Sequence, residues 1–255
     1  MVRRPSAVLS NRHRRTAARL AFAAPFAALA YFLAAPALPA LPAGDVTVLV
    51  AGSIGLLLVA ASALIVLPAY EMLVAPLLIA CGAGLLVAAL NADAQGVGAG
   101  ANVAEALLAG AAGLLFARWL AVPAMALAVP LFVAAVDILS VALGPTSRML
   151  EDGTARVDAL SFDLPAWGNA GSAGHLGLSD AFFLSLFAAW AWRFGLRRRA
   201  TIAGMLVGLG GALVAGVVLD RAIPALPLLA AGYLLPNADR LWKLARHNAT
   251  DVHGA

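Results

Sequence analysis

The chain of 255 residues has a single cysteine, Cys81, and a single lysine, Lys243. One thiol excludes an internal disulfide framework and any cysteine-based metal cluster. Nothing in the sequence resembles a metal cluster, and no cofactor or metal is expected. Charge is also scarce: 12% of the residues are Asp, Glu, Lys or Arg, about half the share of an ordinary soluble domain. A chain this poor in charge cannot cover a water-facing surface. What it has instead is 63% hydrophobic residues in long runs, and because lipid offers no partner to backbone N–H and C=O groups, such runs are expected to be helices. The net charge of +4 does not point to nucleic acid, since the arginines stand in short clusters between apolar runs. That pattern reads as membrane topology.

Eight candidate spans follow, at roughly 18 to 40, 46 to 68, 72 to 90, 102 to 118, 120 to 143, 175 to 193, 200 to 219 and 222 to 237, judged against the ~20 residues a bilayer requires. The fifth follows the fourth almost without a loop, with Arg118 and Trp119 marking the interface. Arginines before the first span and Arg193, Arg197, Arg198 and Arg199 after the sixth orient the set with both termini cytoplasmic. Arg118 and the tail carrying Arg240, Lys243 and Arg246 then also fall inside. The expected organisation is a cytoplasmic segment 1–17, a helical bundle 18–118, a second helical region 119–237 with an external loop 144–174, and a cytoplasmic tail 238–255. Basic Arg12 to Arg19 followed by an apolar stretch and "LAAPALPA" also fits a cleaved secretory signal; a retained first helix is the preferred reading. The alanine- and arginine-rich composition is associated with bacteria, which places the chain in a bacterial inner membrane.

Six acids fall at span ends or turns: Asp45, Glu71, Asp93, Glu105, Asp220 and Asp239. Asp137 and Asp180 do not. Asp137 lies between Leu131–Val136 and Ile138–Leu139, and Asp180 precedes an apolar run that continues to Trp192. A carboxylate at such depth costs about 2.5 to 3.5 kcal/mol on insertion scales, which makes it a functional candidate. If the fifth and sixth spans pack antiparallel, the two acids meet and share a proton. One can then draw a proton from water while the other gives one to a carbonyl oxygen. A proton or cation relay in a transporter uses buried acids equally well, and the acids alone leave both readings open.

The residues around them point one way. "GLSD" at Gly177–Asp180 resembles the Gly-x-Gly-Asp motif of the presenilin and signal peptide peptidase family of intramembrane aspartyl proteases. "VDILSV" at Val136–Val141 is similar to that family's other aspartate motif, and "IPALPLL" at Ile223–Leu229 looks like its Pro-Ala-Leu motif, in the family's order after both acids. "GPTSRML" after the first acid resembles the corresponding presenilin segment, and the likeness extends over about Pro130 to Pro236. Ser179 stands where the family has glycine before the second aspartate, and Val136 where it has tyrosine before the first. The Ser179 hydroxyl is therefore a candidate partner for the Asp180 carboxylate. A second "PALP" at Pro36–Pro39 is low-complexity coincidence.

The resemblance implies an all-α polytopic membrane protein, presenilin-like, with about eight transmembrane helices, or nine if one pair is fused in this count. It implies an intramembrane aspartic endopeptidase with Asp137 and Asp180 catalytic and Gly177, Leu178, Ser179, Pro224, Ala225, Leu226 and Pro227 holding substrate. Its partners are transmembrane peptides or membrane-protein substrates and the lipid bilayer, with no nucleic acid; the sequence does not specify an oligomeric state. The competing readings are an ion-coupled transporter and a catalytically silent relative that binds membrane helices. A prepilin-type peptidase fits less well, because its acids belong near a cytoplasmic loop. Outside the spans, "ALSFDLP" at Ala159–Pro165 alternates apolar and polar residues as a strand does, Gly168, Gly171 and Gly174 suggest a flexible remainder, and His175 reads as an interfacial polar residue. Gly204, Gly208, Gly211 and Gly216 read as small residues for close helix packing.

Overall fold

The computed structural model describes residues 11–39, 44–64, 67, 82, 84–85, 88–89, 98–143, 161–168, 172–219 and 223–244. Through them run α1 (Asn11–Ala34), α2 (Gly44–Leu64), α3 (Gly98–Trp119), α4 (Met125–Leu143), β1 (Ser161–Pro165), β2 (Ser172–Gly177), α5 (Leu178–Arg193), α6 (Arg198–Leu219) and α7 (Ala225–Leu234), with further helical residues at 82, 84–85, 88–89 and 238–244. Short 3-10 turns extend α1 over Ala35–Ala37 and α7 over Leu235–Asn237. Each helix falls within or close to one of the apolar runs read from the sequence. The third of those runs lies almost wholly outside the described residues, as do the acids Glu71, Asp93 and Asp220.

Among the described residues, three helices are long and apolar enough to cross a membrane: Gly44–Leu64, Ala99–Trp119 and Arg198–Leu219. Apolar side chains also populate the outside of the bundle, including Phe132 on α4, Val207 and Val218 on α6 and Leu235 beyond α7.

The interior explains why the helices pack so closely. Where α3 crosses α2 and α5, Gly110 faces the backbone of Ala63 and Gly113 faces the backbone of Phe182, at places with no room for a Cβ. The Ser185 hydroxyl of α5 donates to the Ala63 carbonyl of α2 (3.2 Å). An aromatic chain then runs inward, from Phe116 against Phe182 (5.3 Å between centroids) to Phe183 and Phe187, and Phe187 stacks on Tyr233 of α7 (4.9 Å). Of these rings Phe187 and Tyr233 are buried, Phe182 and Phe183 partly buried, and Phe116 is exposed.

Two expectations are corrected. The run predicted as a span from 175 begins as a strand: β2 pairs antiparallel with β1, Ser161 opposite Gly177 and Leu164 opposite Gly174, with an irregularity at Leu164/Pro165. The alternation at Ala159–Pro165 does mark β1, but the segment expected to be flexible holds its partner strand. The hairpin is fastened to the bundle. Leu164 is buried, with its side chain against Gly55 of α2, and the Trp167 indole donates to the Tyr31 hydroxyl (3.0 Å), which donates to the Ala51 carbonyl (2.7 Å). The second correction concerns α4 and α5, expected to pack on one another. Among the described elements α4 packs extensively on α7 alone, and α7 stands between it and α5.

Candidate active site

α4 carries Asp137 in its C-terminal half, and α5 carries Asp180 in its first turn. The helix start explains the second acid. Gly177 is the N-cap, with extended backbone (φ −64°, ψ 142°), so Asp180 occupies the third helical position. From there its Oδ2 reaches back to accept the Gly177 N–H (3.0 Å). This is the reciprocal half of a capping box; glycine has no side chain to make the other half. Asp180 is buried, at 7% exposure.

Asp137 is half-buried, and its partner comes from a segment 89 positions away. The backbone of Pro224 is extended and caps α7, which then begins Ala225-Leu226-Pro227. The first N–H groups of a helix have no intrahelical acceptor. Pro227 loses nothing there for lack of an N–H, and the free Leu226 N–H donates to Asp137 Oδ2 (3.1 Å). The carboxylate thus sits at the positive end of α7. The two acids are close enough that the charge on Asp137 acts on Asp180.

Of the residues expected at the site, Gly177 and Leu226 contact the carboxylates through backbone N–H groups. Ala225 and Pro227 flank the second contact, and Pro224 caps its helix. Leu178 packs against the core. Ser179 is exposed, and the Gly177 amide takes the role considered for its hydroxyl. A Cβ on Gly177 would stand 3.1 Å from both Asp180 Oδ2 and Ser179 Oγ, so the glycine leaves room for the carboxylate. His175 is exposed on β2, opposite Asp163. Among the described residues no group of His, Cys, Asp or Glu is arranged to hold a metal ion.

Sequence reasoning missed the polar cluster at the far ends of α5 and α7. Asn237, fully buried, accepts the Arg197 N–H at Oδ1 (2.9 Å) and donates from Nδ2 to Thr201 Oγ1 (2.7 Å) and to the Tyr233 carbonyl (2.8 Å). The Arg197 guanidinium binds both oxygens of Asp239 (2.6 and 3.0 Å) and the Pro236 carbonyl, while Arg240 donates to the Gly195 carbonyl. The sequence signal was available in outline: a lone Asn just after an apolar helix, and an Arg-rich turn nearby. The arrangement leaves the acids at one end of α5 and α7 and these arginines at the other. No family model, no curated protein and no solved structure matches the chain.

Proposed function

We propose that the chain is a helical membrane protein of about eight spans that hydrolyses peptide bonds within transmembrane segments, with Asp137 and Asp180 as its catalytic pair. The observation that carries the reading is the Leu226 N–H bond to Asp137. It joins the Pro-Ala-Leu segment to the first acid, while the Gly177 N–H joins the Gly-Leu-Ser-Asp segment to the second. Three motifs scattered over the sequence thus converge on one pair of electrostatically coupled carboxyls.

The chemistry follows from solvent access and from the fact that two adjacent carboxyls share one proton. Asp137, half-buried, is the member that water can reach. It takes a proton from that water as the water oxygen bonds to the scissile carbonyl carbon. Asp180, buried, gives the shared proton to the carbonyl oxygen. As the resulting diol collapses and the C–N bond breaks, the proton taken up by Asp137 passes to the departing nitrogen and a diol hydroxyl returns its proton to Asp180. A helical substrate hides its carbonyl in an intrahelical hydrogen bond, so it must be unwound before attack. The β1–β2 hairpin, which runs directly into α5, offers strand edges to which an unwound segment can add.

In this reading the arginine-bearing ends of α5 and α7 lie on the cytoplasmic side, with the acids toward the outside. Substrates whose N-termini lie inside then fit the inferred orientation, as for signal peptide peptidase. The test is cleavage of a helical membrane peptide by purified protein in liposomes. Asp137→Ala and Asp180→Ala should each lower turnover by about 10²- to 10⁴-fold, the range for a lost general acid or base. Chelators should have no effect, and peptides carrying a hydroxyl at the scissile position should inhibit. Proton-coupled solute flux without hydrolysis would favour a transporter instead.

A further inference from the structure

α4 packs extensively on α7 among the described elements, so the spacing between Asp137 and Asp180 is transmitted through α7. Along its length α7 is held sideways against α6, where Gly204 and Gly232 face each other's backbones and Gly208 faces the Leu228 carbonyl, with no room for a Cβ at any of the three. Backbone-to-backbone contact fixes how near α7 lies. It supplies few interlocking side chains to stop α7 from sliding along its axis. Axial position is fixed at the far end, where Asn237 joins the first residues after α7 to the turn that follows α5.

We infer that Asn237 is a positioning residue: it sets the height of α7 against the α5–α6 turn and so determines where the Leu226 amide stands relative to Asp137. Its side chain fits the task because it both accepts and donates. Oδ1 takes the Arg197 amide of the turn, and the two Nδ2 hydrogens go to Thr201 of α6 and to the Tyr233 carbonyl of α7 itself. Three elements therefore meet on one buried amide, and a shift of α7 along its axis breaks the bonds to Arg197 and Thr201 together, while the bond to Tyr233 moves with the helix. Thr201 is held in turn by donation to the Arg197 carbonyl (2.8 Å), and the Arg197–Asp239 pair closes the cluster on its exposed side. Replacement by an isosteric apolar residue leaves the Arg197 amide and Thr201 without their buried partner, which favours a displaced α7.

The positional part of this inference is independent of the protease reading; its effect on turnover rests on that reading. The experiment measures amide exchange in the whole protein in detergent, over the segment 223–227. Pro224 and Pro227 have no N–H, so fragments spanning them report on Ala225 and Leu226. Asn237→Leu should speed exchange at Leu226 by about tenfold or more, as loss of a charge-assisted bond does, and Thr201→Val by less. Leu241→Ala, which removes a buried side chain at the same end, is the control for general loosening and should leave Leu226 unchanged. In the cleavage assay Asn237→Leu should lower kcat by about tenfold with KM nearly constant, as expected when groups needed in the transition state are misplaced. Should Asn237→Leu fail to fold, Thr201→Val carries the same measurement. Unaltered Leu226 exchange in the foldable variants, or equal acceleration by Leu241→Ala, overturns the inference. A response at Leu226 in a protein that cleaves nothing upholds the positioning role and removes the protease reading.

Discussion

Each acid receives one backbone N–H at a helix start, and this gives the neighbouring residues very different sensitivities. Gly177→Ala suits the backbone, since φ is −64°. The added Cβ meets the Asp180 carboxylate at 3.1 Å, so the acid must move by a few tenths of an ångström. The expected outcome is a folded protein with clearly reduced turnover, a 1 Å misplacement being worth up to about 10²-fold. Ser179→Gly should do little, because the Ser179 side chain is exposed and the Asp180 bond comes from Gly177. Its helix-propensity cost is at most about 1 kcal/mol, and pH–activity profiles of the two proteins should superimpose. A displaced profile would restore the hydroxyl as a partner of Asp180. At this scale the sequence made the acids legible, because a carboxylate inside an apolar run stands out. It did not show which amide serves which carboxylate, since every residue but proline has an N–H and only the fold selects one.

Among the elements, α6 and α7 depend on missing side chains. Gly204→Ala or Gly232→Ala must push the helices apart, at a cost of about 1–3 kcal/mol, and thermal unfolding in detergent should register it. Gly211→Ala is the internal control: nothing lies within 4 Å of its Cβ position, so the change should be neutral or slightly stabilising. The roughly four-residue glycine spacing announced a packing face; Gly204 and Gly208 meet the α7 backbone while Gly211 faces open space, and Gly232 was not legible because its importance arises across the interface. β2 was illegible for a similar reason. Ser172–Gly177 carries two glycines and no alternation, and its strand form comes from pairing with β1. At the opposite end, the Arg197 guanidinium bonded to Asp239 holds that carboxyl below the usual carboxylate range. A depressed folded value means that the contribution is complete above the unfolded value, about 3.9, and is lost as pH falls through the folded one. The difference in melting temperature between wild type and Asp239→Asn should thus be constant from about pH 5 to 8 and close only in stronger acid. Being exposed, the pair should also weaken with salt.

For the whole molecule, apolar runs located the helices well because the burial of backbone groups admits few alternatives in such a sequence. They could not tell which helices touch, and the insertion of α7 between α4 and α5 was not legible. Orientation is the remaining global property, and it predicts that a reporter fused after Arg199 behaves as cytoplasmic while one inserted at Gly168 behaves as external. Reporters on the same side would place the two ends of α5 together and end the topological model. One feature of α7 bears on what the molecule would cut. Ten α-helical residues and three in a 3-10 turn span about 21 Å, against a hydrocarbon thickness of ~30 Å. The chain continues as helix over residues 238–244, so in the proposed orientation, with the Arg197 turn at the cytoplasmic face, the amide that meets Asp137 stands roughly two thirds of the way across. In the proposed setting the helix acts as a ruler: the scissile bond is chosen by its depth below the outer surface, with the side chains around it secondary. Unrelated transmembrane segments would then be cut at a common level, and lengthening a substrate's apolar stretch would move the cut along its sequence while leaving its level in the bilayer fixed.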